Sequence, residues 1–341
     1  MFDEKRKKTI CLGILTILLL TGILAIFLTH VDKNVFHILA DTGPSMILVL
    51  LLYSLLYIFM DAMLYKAVFS HKTEAFAFGN GLALSNLRTF GKTVLIVGGS
   101  MPIQSYYLYK KGLALGRSVG ITTALYVMQK VSIFLYTTVL LCFQWDWVSR
   151  AVPSLPGLLI FSYIVCALII LVMFLLCTSV HVCRGALRLV GKLPDSGKWP
   201  ERKTRWSTQI SALYEETHVM LKARGKCFAV LIFDCTKLFI FFTAPFVIVR
   251  MLGDSSCSLM QIQVLCALML FFSHALPNVG GMGSVEFSFM LVFSGSLGAY
   301  TAATMIYYRC ATYYFPFIMS VIAVFVIQRK LSAPASSPQI P

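Results

Sequence analysis

The chain has 341 residues, 58% hydrophobic and only 13% charged, with a formal net charge of +15 and a mean hydropathy of +0.80. A soluble domain carries about twice that charged fraction, so the composition argues against a water-soluble enzyme. The surplus of Lys and Arg fits loops that face anionic lipid headgroups, and no nucleic-acid partner is expected.

Apolar residues cluster in blocks at 9–28, 45–69, 76–97, 118–143, 157–180, 227–249, 259–276, 287–297 and 301–327. Most are long enough for a helix to cross about 30 Å of hydrocarbon. With no water there, each block must satisfy its own backbone, which helices do. The expected fold is therefore an all-α integral membrane protein, a polytopic bundle of about seven or eight passes. The first block follows Lys5-Arg6-Lys7-Lys8 and ends at Phe27-Leu28-Thr29-His30. Its length and the lack of a small-residue cleavage site predict a retained helix, not a signal peptide. Most of the ten cysteines lie inside apolar blocks and none forms a Cys-x-x-Cys pair. They read as packing residues, with neither a metal site nor a cofactor expected.

Basic residues set the orientation. Lys5 to Lys8, Lys110-Lys111 with Arg117, the stretch 184–226 and Arg329-Lys330 are expected to be cytoplasmic, which puts both termini on the cytoplasmic side of a cell membrane. Trp145 and Trp147 then flank the outer end of one helix. If both ends of 76–104 face the cytoplasm, that segment must enter and turn back, and 259–298 must do the same from outside. Each carries a glycine-rich break, at Val97-Gly98-Gly99-Ser100-Met101-Pro102 and at Pro277-Asn278-Val279-Gly280-Gly281-Met282-Gly283. Broken backbone at that depth is tolerated only inside protein or beside a wet cavity. Two re-entrant hairpins in inverted topology are the expectation. The breaks also resemble each other. Val97-Gly98-Gly99 precedes Gln104 and Tyr106, Val279-Gly280-Gly281 precedes Glu286 and Ser288, and the long helices that follow carry Lys130 and Arg309. Inverted repeats with interrupted helices are a transporter pattern.

The chain reads as one transmembrane domain over 1–330. A basic connector at 184–226 holds a turn-rich segment near Leu193-Pro194 and an amphipathic helix at 208–221, and a Pro/Ser-rich disordered tail covers 331–341.

Three elements carry a resemblance to a known family. They are Gly98-Gly99-Ser100-Met101-Pro102-Ile103-Gln104-Ser105-Tyr106-Tyr107 with Lys110-Lys111-Gly112, then Leu276-Pro277-Asn278-Val279-Gly280-Gly281-Met282-Gly283-Ser284-Val285-Glu286, and Tyr308-Arg309 with Tyr314-Phe315-Pro316. Together they resemble the lysylphosphatidylglycerol synthase transmembrane-region family, which includes the flippase half of the multiple peptide resistance factor. The resemblance implies handling of phosphatidylglycerol or its lysylated form, and a role in resistance to cationic peptides and antibiotics. Stand-alone members are often named phosphatidylglycerol lysyltransferase. The full-length synthase also has a soluble acyltransferase domain, and only a short tail follows Lys330 here. The expectation is the lipid-translocating or accessory half, with no catalysis by this chain alone.

The candidate site residues each have a functional and a structural reading. Glu286 either meets a cationic headgroup or caps the helix that it opens, since a carboxylate in hydrocarbon needs a partner or a wet cavity. Arg309 and Lys130 either hold a lipid phosphate or form ion pairs. Gly98, Gly99, Gly280, Gly281 and Gly283 either expose backbone N–H groups to a phosphate or pack helices closely. Gln104 and Asn278 either bond a headgroup or satisfy freed backbone groups. Asp234 and Lys237 are expected to neutralise each other at i, i+3; Asp61 is a third intramembrane charge, and His274 a structural histidine or an acid–base partner for Glu286. No catalytic residue is assigned. The leading expectation is translocation of lysyl-phosphatidylglycerol or a related lipid, with no nucleotide-binding loop to drive it. The alternatives are a membrane-embedded transferase and a scaffold for a separately encoded synthase. A homodimer is compatible with either.

Overall fold

The computed structural model describes residues 43–69, 76–94, 99–151, 155–194, 199–222, 224–254, 256–276 and 282–332. The expected first helix at 9–28, Gly98, Asn278, Gly280, Gly281 and the tail from 333 lie outside the described residues.

The described residues form helices joined by turns, an all-α membrane bundle. Helix α1 (Pro44–Phe69) opens on a proline, whose missing N–H costs nothing in a first turn. Helices α2 (Phe78–Val94) and α3 (Met101–Lys110) flank the first glycine-rich break. Helix α4 (Leu115–Ala151) is 37 residues long, or about 55 Å at 1.5 Å per residue. Helices α5 (Leu155–Thr178), α6 (Val180–Gly191) and α7 (Trp199–Lys222) follow. Then come α8 (Arg224–Met251), α9 (Leu259–Ala275) and α10 (Ser284–Leu297). A 3-10 turn at Gly298–Tyr300 leads to α11 (Thr301–Arg309), a π-helical turn at Cys310–Tyr314 and α12 (Phe315–Ser332).

Among the described residues, four stretches are long and apolar enough to cross a membrane: Pro44–Phe69, Leu115–Ala151, Cys227–Met251 and Ser284–Arg329. Leu159–Val172 and Leu259–His274 are shorter apolar helices. Their outward faces carry Leu48, Leu52, Phe143, Ile164, Phe228 and Phe325, all exposed. A surface that apolar belongs in lipid.

Local differences from the expected boundaries have physical causes. Helix α4 continues past 143 because Gln144 departs from helical geometry (φ −123°, ψ 16°) yet the helix resumes. Trp145 and Trp147 therefore sit on the helix beyond a bend. The connector is more helical than its turn residues suggest. Ser179 caps α6 by accepting from the Val182 N–H at 3.4 Å. Helix α7 begins at Trp199-Pro200, well before the expected 208, and lies against α4. Gly116 makes that crossing close: a Cβ there would stand 3.1 Å from the Ala212 Cβ. The final helix runs through Ser332, one residue beyond the expected start of the tail.

Two apolar cores organise the bundle. One joins the C-terminal half of α1 to α2, α3 and the start of α4, through Phe69, Leu84, Leu108 and Ile121. The other joins the later part of α4 to α8, α9, α10 and α11, through Leu141, Phe242, Leu268 and Phe293. Around them the order helix, hairpin, helix occurs twice. In the first hairpin Asn80 receives a hydrogen bond from the Tyr107 hydroxyl at 2.9 Å, and a Cβ on Gly91 would meet the Ser100 Cα at 2.8 Å. Helices α2 and α3 thus run antiparallel. In the second, the Cys257 thiol before α9 lies 3.9 Å from the Ser296 carbonyl oxygen near the end of α10. The leading helices are antiparallel as well: Tyr53 bonds Thr243 at 2.7 Å, the tilted rings of Tyr57 and Phe241 lie 4.6 Å apart, and Asp61 meets Lys237.

Candidate functional site

The two cores meet at a set of buried charges. Asp61 of α1, fully buried, accepts hydrogen bonds from Arg88 Nη1 at 3.0 and 2.9 Å and from Lys237 Nζ at 2.7 Å. Arg88 reaches on to Gln129 of α4, and Lys237 also lies 3.3 Å from Asp234 on its own helix. The cluster thereby links α1, α2, α4 and α8. Charges are costly in hydrocarbon unless paired, and here one carboxylate is shared by two cations. The expected Asp234–Lys237 pair is present, but the shorter contact of Lys237 is to Asp61.

A second pair joins α10 to α11. The carboxylate of Glu286 accepts from the Gly283 backbone N–H at 2.7 Å through Oε2, and its Oε1 lies 2.7 Å from Arg309 Nε. Gly283 has φ +96°, a region that favours glycine, so the break places its N–H where the carboxylate can reach it. Glu286 is therefore both a helix cap and an ion-pair partner. The Arg309 guanidinium also lies over the Tyr313 ring, 4.2 Å from its centroid. The π-helical turn that follows frees backbone carbonyls, and Ser54 of α1 donates its hydroxyl to that of Ala311 at 2.7 Å.

Between these clusters lies a cavity of about 220 Å³, room for several waters or a small polar group. Its wall includes Lys92, Lys237, His274 and Arg309, with the hydroxyl-bearing Thr89 and Tyr308. A smaller adjoining cavity of about 80 Å³ shares Ile133 and His274 with it and is lined by Lys130. The Lys130 ammonium stands over the Tyr126 ring at 5.2 Å.

The structure thus brings Arg309 and His274 to one cavity, Lys130 to its neighbour, and Glu286 to the ion pair behind the wall. Gln104 donates to the Leu84 carbonyl at 3.2 Å and to the Tyr65 hydroxyl, which places it between α1, α2 and α3. Gly99 (φ +57°) turns the chain into α3 and lies outside the cavity wall. Arg88 and Lys92 were missed by the sequence reasoning. The signal was there: two cations four residues apart in an apolar block share a helix face and demand a partner or a wet surface.

These features define a helical, multi-pass membrane protein with a polar, cation-lined cavity between two apolar cores. The family model for the lysylphosphatidylglycerol synthase TM region matches residues 12–320, and the chain belongs to that family. It is a multi-pass membrane protein of the lysylphosphatidylglycerol system. No curated protein matches the sequence.

Proposed function

We propose that this chain moves a glycerophospholipid between the leaflets of the cell membrane, either lysyl-phosphatidylglycerol or its anionic parent. The single observation that carries this reading is the cavity: charged and hydroxyl side chains enclosed by helices whose outer faces are apolar. A headgroup can cross there while its acyl chains remain in lipid. In this reading the two antiparallel hairpins are re-entrant, the termini face the cytoplasm, and rocking of one core against the other opens the cavity to each leaflet in turn. Cationic-peptide resistance would follow from the change in leaflet composition.

The transferase alternative is less well supported by the geometry. The Glu286 carboxylate is committed to Gly283 and Arg309, so it is poorly placed to act with His274 as an acid–base pair. Leaflet-resolved labelling of amino-phospholipids in vesicles containing the purified chain tests the proposal. Time-dependent exposure without a new lipid species is the expected result. A new species made by the chain alone would establish catalysis, and neither outcome would point to a scaffold.

A further inference from the structure

The seam between α4 and α5 holds a groove separate from the central cavity. Its volume is about 480 Å³, and its wall is built from Leu141, Cys142 and Trp145 of α4 with Ile160, Tyr163 and Ile164 of α5. That size falls among small-molecule sites. Trp145, Ile160 and Ile164 are exposed, so the groove opens onto the apolar outer surface. None of its described lining residues is charged. Its hydroxyls are already engaged: Thr138 donates to the Phe134 carbonyl at 2.8 Å, and the Tyr163 hydroxyl lies 3.1 Å from the Thr138 oxygen. With the one proton of Thr138 used, Tyr163 is the donor in that contact. On α4 the positions Lys130, Phe134, Thr138, Cys142 and Trp145 recur every three or four residues and form one stripe. Phe134 lies about 16 Å along the helix from Trp145 at 1.5 Å per residue, close to the depth of one leaflet, half of the roughly 30 Å core. At that depth the Tyr163 ring lies 5.4 Å from Phe134 and 4.6 Å from Phe271 of α9. Phe134 and Phe271 also line the 80 Å³ pocket of Lys130, which shares His274 with the central cavity. The three rings therefore stand between a dry groove and the polar interior.

We infer that the α4–α5 groove binds one acyl chain of a glycerophospholipid, and that the rings of Phe134, Tyr163 and Phe271 are a gate between that chain and the interior. The chain site stands on the groove itself; its use as an entry gate rests on the lipid-handling reading. A headgroup finds no free donor or charge on this wall, whereas a hydrocarbon chain needs none. A second membrane helix fits poorly. Helices pair in lipid through small residues that let backbones approach, and this rim presents Trp145, Ile160 and Ile164 instead. The latch is the Tyr163–Thr138 hydrogen bond. Turning Tyr163 aside joins the groove to the Lys130 pocket along the α4 stripe, so the chain keeps to a greasy track while the headgroup moves in the cavity.

The test places the full chain in vesicles of phosphatidylglycerol and phosphatidylcholine, with a trace of phosphatidylcholine carrying a diazirine either halfway along one acyl chain or at its tip. After irradiation, labelled residues are mapped by mass spectrometry. The halfway probe is expected to label Cys142, Ile160 and Ile164 well above Ile318, Ile322 and Phe325, which are exposed on α12. Ile160→Trp fills the groove from an exposed rim position, where folding is not at stake, and should cut the labelling of Cys142. Tyr163→Phe keeps the ring and loses the latch, so the tip probe should label Cys166 and Ile170 of the inner pocket about threefold more, as for one interhelical hydrogen bond. Labelling of the groove no greater than that of α12 overturns the chain site, as do cross-links from these residues to a second copy or to another segment of the chain in place of lipid. Unchanged labelling of Cys166 and Ile170 in Tyr163→Phe overturns the gate. Leaflet exchange, measured on the same vesicles, separates this from the transport reading. Groove labelling without exchange leaves the chain site standing and removes transport, whereas exchange with even labelling does the reverse.

Discussion

Asp61 and Lys237 stand 2.7 Å apart and tie α1 to α8 across 176 residues of sequence. Because α1 and α8 lead the two helix–hairpin–helix units, this contact joins the halves of the molecule at the level of the cavity. It is also shared, since Arg88 holds the same carboxylate.

Replacing Asp61 by Asn should take the carboxylate partner from Arg88 and leave Lys237 with Asp234 alone. The expected loss is roughly 3–5 kcal/mol of stability, as for breaking one partner out of a buried pair. A fall in thermal midpoint in detergent checks it. The Asp61→Asn/Lys237→Met double variant should lose less than the two single losses added together. Strict additivity would show the contact to be energetically silent.

Glu286→Gln removes the charge partner of Arg309 while leaving a side chain able to cap α10. Leaflet exchange should slow, with the protein still inserted and folded. If exchange continued at the wild-type rate, the Glu286–Arg309 pair would have no part in translocation.

Gly81 is a point of closest approach between α1 and α2, where an added Cβ would collide with the Ala62 carbonyl oxygen. Gly81→Leu should force the helices apart at a cost of about 1–3 kcal/mol. Since Asp61 sits one residue from Ala62, the same change should weaken the Asp61–Arg88 contact. A lowered thermal midpoint with unaltered membrane insertion would report it.

Gln263 uses both ends of its amide: it donates to the Phe239 carbonyl at 2.9 Å and accepts from the Tyr136 hydroxyl at 2.8 Å. Pro245 lies inside α8 and weakens its regular bonding nearby. Gln263→Leu should cost about 1–2 kcal/mol, near the upper range for interhelical hydrogen bonds in membranes. Unfolding in denaturing detergent would measure the loss, and a neutral result would mean that the two groups find other partners.

Much of the architecture was legible because membrane helices announce themselves by length and hydropathy. Blocks at 227–249 and 259–276 sit within or close to α8 and α9, and the isolated charges Asp61, Lys130, Asp234, Lys237 and Arg309 stood out against apolar surroundings. What the sequence could not show was who partners whom. Asp61 meets Arg88 and Lys237, 27 and 176 residues away, and only the antiparallel packing of α1 against α8 brings the second within reach. Glu286 was read as either a headgroup contact or a cap. Its real geometry includes the cap, a local feature that the preceding glycines foretold, and a bond to Arg309 that they did not. The connector helix was expected from 208 and begins at Trp199, because Pro200 falls in its first turn, where a proline is tolerated.

The wide turn at Cys310–Tyr314 governs how the last helix is clocked. It adds a residue to the spiral just after Arg309, so everything downstream is rotated by about 100° relative to an unbroken α-helix. With that rotation Ile318, Ile322 and Phe325 look outward, while Ser320 is buried and Phe317 stacks near Phe90 of α2. Deleting one residue from the turn would swing greasy side chains toward α2 and present Ser320 to the acyl chains. One residue of slack thus decides which stripe of α12 is solvated by lipid and which is sealed against protein.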